Sequence, residues 1–132
     1  MKKEVQYIID EKNNLLIRRF IGDMGTEDII FSWEEILGLK ITSKIPSGLV
    51  TDLRNANVKI KIEELNKITD YLSKNINIIK TIKLAILADN PQQCVLSMLA
   101  KNMFTENKPY VYVKIFSTEE AALNWMQSFH HS

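Results

Sequence analysis

The sequence has few of the residues that build disulfides, metal centres and catalytic bases. It holds one cysteine and two histidines among 132 residues. One cysteine cannot form an internal disulfide, and no cysteine or histidine spacing matches a metal site, so we expect neither a metal nor a cofactor. The histidines, His130 and His131, are adjacent at the end of the sequence, where we expect a tail rather than ligands or bases.

An excess of one charge and long apolar runs are also missing. Seventeen basic and 16 acidic residues are interleaved and give a formal net charge of +1. Nucleic-acid binders usually carry a basic stripe, so this balance argues against a nucleic-acid partner, and we expect Lys2-Lys3 and Arg18-Arg19 to be exposed to solvent. No apolar run has the length of a membrane span or the form of a signal peptide, which predicts a cytoplasmic protein.

Punctuating residues are sparse as well, with 4 glycines and 3 prolines and no low-complexity segment or linker. The hydrophobic content of 45% and the charged content of 25% are typical of a globular protein. A chain of this length can bury one sizeable core. We therefore expect residues 1–132 to form a single domain.

The first third of the chain predicts a β-hairpin followed by a helix. Two β-type runs, Glu4 to Asp10 and Leu15 to Ile21, flank a polar turn in which asparagine tolerates the left-handed conformation. Thr26 is the expected N-cap of the helix, because two acidic residues follow it at the positive end of the helix dipole. Gly38 is the expected stop.

The middle of the chain alternates between short apolar runs and amphipathic stretches. The run LVTDL predicts a strand, and the spacing of apolar residues predicts a helix from about Ile62 to Lys74. The segment IKLAILAD is apolar on both faces, which is typical of a strand at the centre of a parallel sheet. Asn90 is the expected N-cap of the next helix, with Pro91 at its first position and Gln93 at its third.

The last third predicts one more strand and one more helix. Lys114 interrupts the apolar strand YVYVKIF, which favours a position near a sheet edge. The final helix is expected to open with a capping box of Ser117 and Glu120 and to bury Ala122, Trp125, Met126 and Phe129. The order ββαβαβαβα indicates an α/β fold: an N-terminal hairpin, repeated βα units, a mostly parallel, mixed five-stranded sheet and four helices.

Four segments together resemble a known family. They are GLVTDLRNA, IEEL, IKLAILADNP and VKIFSTEEAALNWM, and the likeness extends from the hairpin to the last helix. This pattern resembles the SpoIIAA-like branch of the STAS-like proteins, small bacterial domains that share a fold with anti-sigma factor antagonists and, more distantly, with CRAL-TRIO lipid-binding domains. The resemblance implies a binding or regulatory domain rather than an enzyme.

One departure from that pattern concerns regulation. Anti-sigma factor antagonists are switched by phosphorylation of a serine in the turn after a central strand. The corresponding turn here, Asp52 to Asn57, contains no serine or threonine. The resemblance therefore does not carry a phosphorylation switch to this position.

Polar residues follow the third and fourth predicted strands, and they are the candidate binding site. Ligands of open α/β sheets bind beyond the carboxyl ends of the strands, so these residues would form a rim for a partner protein or a small ligand if the two strands are neighbours. The alternative is structural, with Asp52 paired to Arg54 and with Asp89 and Asn90 capping a helix. The rim residues are Asp52, Arg54, Asn55, Asn57, Asp89 and Asn90.

A second hypothesis places an apolar, lipid-like ligand between helices. Its walls would be the methionine and aromatic side chains of the helix faces, although core packing or a homodimer interface would use the same residues. They are Trp33, Met98, Met103, Phe104, Trp125, Met126 and Phe129. An enzyme that uses Cys94 or the aspartates is a third reading, but Cys94 is expected to face the core beside Met98, where a thiol is inert.

Overall fold

A computed structural model describes residues 2–128, so Phe129 and the two histidines lie outside the described part. The elements are β1 (Glu4–Asp10), β2 (Leu15–Met24), α1 (Thr26–Leu37), β3 (Gly48–Asp52), β4 (Ala56–Val58), α2 (Leu65–Lys74), α3 (Ile76–Ile79), β5 (Lys83–Leu87), α4 (Pro91–Thr105), β6 (Val113–Phe116) and α5 (Glu119–Ser128). A 3₁₀ turn, Ile62–Glu64, leads into α2.

The strands form one mixed sheet in the order β1-β2-β3-β5-β6, and β4 pairs with the end of β2. The β1–β2 hairpin is antiparallel, whereas the other pairs are parallel. The predicted α/β class, the hairpin and the mostly parallel sheet are thus confirmed, and Lys114 lies on edge strand β6. Residues 2–128 contain six strands and five helices rather than five and four, because β4 and the short α3 add to the predicted set.

Because successive side chains of each strand point to opposite faces of the sheet, the core consists of a larger cluster on one face and a smaller cluster on the other. On one face, Leu16 and Phe20 of β2 pack with residues of α1, α2 and α4. On the other face, Val50 of β3 and Leu87 of β5 pack against Met126 of α5. Helices α1, α2 and α4 thus cover one side of the sheet, where Ile79 of the short α3 is also buried, and α5 covers the other. No helix in the described part of the chain is long and apolar enough to cross a membrane.

The helix starts confirm one predicted cap and correct two. Gln93 N donates to Asn90 Oδ1 at 2.9 Å, so Asn90 caps α4 as expected. The cap of α1 is Gly25 rather than Thr26, because the Asp28 carboxylate accepts the Gly25 amide at 2.8 Å. The capping box at Ser117 is also wrong, since Ala121 N donates to Thr118 Oγ1 at 3.2 Å and α5 starts one residue later.

The orientation of α4 about its axis corrects the expectation for Cys94. The helix turns Gln93, Ser97 and Phe104 towards the core, while Met98 is 55% exposed. Gln93 sets this orientation, because its Nε2 donates to the Leu53 and Ala56 carbonyls. Cys94 is half-buried rather than part of a buried apolar stripe.

Candidate functional site

The predicted rim does form where β3 and β5 end, since these strands are neighbours in the sheet. Asp52 closes β3 with only 1% of its surface exposed. Arg54 binds both of its carboxylate oxygens: its backbone N and Nε each donate to Oδ1 at 3.0 Å, and Nη2 donates to Oδ2 at 2.9 Å. Arg19 Nε lies 3.4 Å from Oδ2. The carboxylate is therefore engaged within the chain.

Two residues that the sequence did not single out complete this ion-pair cluster of Arg19, Asp52, Arg54 and Glu119. Arg19 Nη2 donates to Glu119 Oε1 at 2.6 Å, and Arg54 Nη2 lies 4.0 Å from the same oxygen. Burial raises the pKa of Asp52, but the hydrogen bonds and charge of Arg54, with the charge of Arg19, lower it by more, so the pKa lies below its usual value. The cluster joins β2, β3 and the start of α5.

The other predicted rim residues have separate tasks. Asn55, Asp89 and Asn90 are exposed, and the Asn90 side chain caps α4. The hydrogen bonds to Asp52 are the main cause of the raised pKa of Arg54, and the charge of Asp89 adds to it, so Asp89 lies near the cluster. Asn57 points elsewhere, because its Nδ2 donates to Asp23 Oδ1 at 3.1 Å. The structure thus brings Asp52 and Arg54 together, with Asp89 nearby. The side chains of Asn57 and Asn90 make their hydrogen bonds elsewhere, outside the ion-pair cluster.

A second candidate site is a cavity of about 130 Å³ between the sheet and helices α1, α2 and α4. Its walls are mainly branched aliphatic and aromatic side chains. They include Ile29, Trp33, Leu53, Val58, Ile60, Leu65, Ile68, Leu72, Leu84, Ile86, Leu96, Ala100, Phe104 and Val113. The space lies between helices, where the second hypothesis put it.

The residues expected to wall that space are largely elsewhere. Trp33 and Phe104 do line the cavity. Met98 and Met103 are exposed, and Trp125 and Met126 of α5 pack on the opposite face of the sheet. Phe129 falls outside the described residues. The methionine walls were a wrong prediction, because α4 directs its methionines to solvent and its small and polar residues inwards.

The one arginine of this cavity, Arg18, was expected to be exposed and is 3% exposed. Its Nε donates to Thr51 Oγ1 at 2.8 Å and its Nη1 donates to Ser32 Oγ at 3.1 Å. The guanidinium carbon lies 4.5 Å from the centre of the Trp33 ring. The expectation was wrong because strand alternation puts position 18 on the same face as the buried Leu16 and Phe20, which is the signal that could have identified it.

The charge of Arg18 has no carboxylate partner within residues 2–128. Ser32 Oγ, which accepts from Arg18, lies 2.9 Å from the Tyr7 hydroxyl, and that hydroxyl donates to Glu35 Oε1 at 3.0 Å. Burial lowers the pKa of Arg18 to about 9, so the group still carries its charge at neutral pH. The cavity therefore holds a desolvated cation that only hydroxyl oxygens and aromatic rings compensate.

Comparison with known proteins identifies the fold. No family model matches the sequence, and no curated protein matches it. A solved structure of an uncharacterised protein of the DUF3478 family with a SpoIIAA-like fold, from Shewanella loihica PV-4, aligns with a TM-score of 0.58 at 18% identity, over 94% of this chain and 93% of that chain. The anti-sigma factor antagonist SpoIIAA in its unphosphorylated form aligns with a TM-score of 0.51 at 10% identity, over 96% of this chain and 100% of that chain.

The chain has a SpoIIAA-like fold. This confirms the fold that the four resembling segments implied. Identities this low show the fold alone, so the activity has to be argued from the residues of this chain. In this SpoIIAA-like domain the turn after β3 carries Arg54 and Asn55 and no hydroxyl group between Asp52 and Asn57.

Several of the groups that could carry metal or nucleophilic chemistry have contacts within the described residues. Among residues 2–128 no group of three or more histidine, cysteine, aspartate or glutamate side chains is placed to hold a metal ion. Asp52 is occupied by two arginines, and Cys94 Sγ contacts the Ala88 carbonyl at 3.8 Å. An apolar cavity with one buried cation and a rim of polar side chains are two features of residues 2–128 that suit recognition.

Proposed function

We propose that this SpoIIAA-like chain is a non-enzymatic binding domain whose ligand, a small apolar molecule, occupies the cavity under α1, α2 and α4. The observation that carries the proposal is the cavity itself: about 130 Å³ of space lined by aliphatic and aromatic side chains in an otherwise packed core. Ligand sites in proteins are typically concave and mostly apolar, with a few polar groups. An apolar cavity of about 150 Å³ in another protein binds benzene, so we expect a ligand with one ring or a short branched chain.

The sheet and α4 offer such a ligand a way in. Leu96, Ala100 and Lys101 of α4 and Ile86 and Val113 of the facing strands line the cavity and are only half-buried. All other lining residues except Ile29 of α1 are buried. We therefore infer that the ligand enters between α4 and the β5–β6 edge of the sheet.

The proposal is tested by measuring the binding of a neutral probe, toluene, before and after a substitution that fills the cavity. Toluene binding to the wild-type chain is measured by NMR chemical-shift titration. Ala100→Phe places a ring in the cavity and should abolish binding, whereas Ala121→Phe makes the same change at an exposed position of α5, across the sheet, and should leave it intact. Absence of toluene shifts in the wild type, or equal shifts in the two variants, would contradict the proposal.

The second candidate function is capture of a partner protein at the rim, as expected for a regulatory domain. Two features support it: the fold is shared with an anti-sigma factor antagonist, and the rim presents charged groups to solvent. The side chains of Arg19 and Arg54 are 29% and 28% exposed, and Asn55 and Asp89 are exposed. Exposed charged groups of this kind suit electrostatic complementarity with a protein partner.

Partner capture is tested with Asn55→Ala and Asp89→Ala. Both side chains are exposed, so their removal should not disturb the packing of the core. A pull-down from the native organism with the wild-type chain identifies the partner by mass spectrometry. Loss of that partner in either variant, at an unchanged melting temperature, would support the rim. Full capture by the double variant would exclude it. Sedimentation of the purified chain tests the remaining prediction of a homodimer.

A further inference from the structure

We propose that the ligand of the cavity is a small carboxylic acid with an aromatic or branched apolar body, and that its carboxylate binds the guanidinium of Arg18. This inference rests on the proposed function of the cavity and adds the charge and the orientation of the ligand. The body would lie among the aliphatic walls, and the acid group would lie at the sheet.

The charges of the cavity lining have one sign. Arg18 and Lys101 line it, and no aspartate or glutamate does. The other polar groups of the lining are the hydroxyls of Thr51, Thr69 and Ser97. Thr69 Oγ1 donates its proton to the Asn66 carbonyl, which leaves Thr51 and Ser97 to donate to an anion. A neutral or cationic ligand would leave the positive field uncompensated, whereas an anion with an apolar body complements both the charge and the walls.

Arg18 has an open hydrogen-bonding position. Its Nε and Nη1 are used by Thr51 and Ser32, and Nη2 has no acceptor among residues 2–128. A guanidinium is a planar fork that binds a carboxylate through two parallel hydrogen bonds. Buried charges in proteins are normally paired, so an incoming carboxylate would supply the partner that residues 2–128 do not provide.

The size of the cavity and the presence of a single guanidinium, that of Arg18, favour a carboxylate over a phosphate as the bound anion. A carboxylate carries one charge and matches one guanidinium, while a phosphate monoester carries close to two charges at neutral pH and three acceptor oxygens. Lys101 is half-buried on α4, at the side where we place the entrance, and is the second cation that an anion would pass. The probe is therefore benzoate, and benzamide is its neutral isostere.

Calorimetric titration with benzoate, benzamide and toluene tests the assignment at pH 7.5. We expect wild type to bind benzoate at least tenfold more tightly than benzamide. Arg18→Met should weaken benzoate binding about 10- to 100-fold, the value of a charge-assisted hydrogen bond, and should change toluene binding by much less. Lys67→Met removes an exposed cation of α2 that does not line the cavity and should change neither. Inorganic phosphate should not compete.

The outcomes separate this inference from the proposed function. Equal affinity for benzoate and benzamide, or full benzoate affinity in Arg18→Met, overturns the carboxylate site while toluene binding still supports the cavity. Loss of affinity in Lys101→Met but not in Arg18→Met would also overturn it. If none of the three probes binds, both proposals fail. Should Arg18→Met not fold, the benzoate-to-benzamide ratio of the wild type and the affinity of Arg18→Lys decide.

Discussion

Removal of the Asp52 carboxylate tests how the chain holds the carboxyl end of β3. In Asp52→Ala the chain loses three hydrogen bonds from Arg54 and an ion pair with Arg19. The carboxylate is almost fully buried, but both arginine side chains are more than a quarter exposed. The substitution therefore frees two cations that can turn to water, rather than leaving a charge stranded in the core.

This partial exposure sets the size of the effect. Breaking a fully buried ion pair costs about 3–5 kcal/mol because the remaining charge is uncompensated. Since Arg19 and Arg54 can be hydrated, we expect a loss below that range, about 2–3 kcal/mol of unfolding free energy at pH 7.5. For a chain of this length such a loss lowers the melting temperature by roughly 6–12 °C.

Urea denaturation followed by circular dichroism measures the loss, with Glu119→Ala as the control. Glu119 belongs to the same cluster but is about one-third exposed, so its removal should cost no more than about 1 kcal/mol. A difference below about 0.5 kcal/mol between wild type and Asp52→Ala would refute the reasoning. Equal losses in the two variants would show that burial of Asp52 adds nothing.

The pH dependence gives an independent check with a defined sign. The folded-state pKa of Asp52 is lower than its unfolded value, so its contribution is fully present above about pH 4 and is lost as pH falls through the folded pKa. The stability gap between wild type and Asp52→Asn should therefore narrow below about pH 4. A gap that stays constant from pH 7.5 to pH 3 would mean that the carboxylate is not held in its charged form.

Three further substitutions test the packing around the two sites by urea denaturation. Gln93→Leu leaves the Leu53 and Ala56 carbonyls without their donor and should cost about 2–3 kcal/mol; a loss under about 1 kcal/mol would contradict the role of Gln93. Gly48→Ala puts a Cβ 2.5 Å from Leu15 Cδ2 and should cost about 1–3 kcal/mol. An unchanged stability would show that the Leu15 side chain moves aside. Asn90→Ala removes the α4 cap and should cost about 1 kcal/mol, against no change for Asp89→Ala.

The elements that local chemistry specifies were predictable. The hairpin follows from two apolar runs around a polar turn. The start of α4 follows from Asn90, whose side chain accepts a free backbone amide of the first turn, and from Pro91, which has no amide to satisfy. The cap of α1 was not predictable from residue preference, because Gly25 contributes a backbone amide and Asp28 supplies the acceptor. Preference scales describe the side chain at the cap position. They miss a cap in which a side chain further along the helix accepts from the backbone amide of the cap residue.

Elements that depend on distant partners were harder to predict. β4 comprises three residues, Ala56–Val58, and pairs with Gly22–Met24 of β2, more than 30 positions away. Only that pairing separates it from an extended loop. The cavity is likewise a property of how α1, α2 and α4 sit on the sheet, so periodicity in each helix could predict buried faces but not the gap between them.

Arg18 and Arg19 show why residue type alone misled at the site. Adjacent strand residues point to opposite faces, so Arg18 enters the cavity beside Thr51, and Arg19 meets Asp52 and Glu119 on the α5 side. Composition treats the pair as one exposed basic patch, whereas the alternation of β2 assigns one cation to each candidate site. Substitution at position 18 therefore tests ligand binding in the cavity, and substitution at position 19 tests the rim on the other face of the same strand.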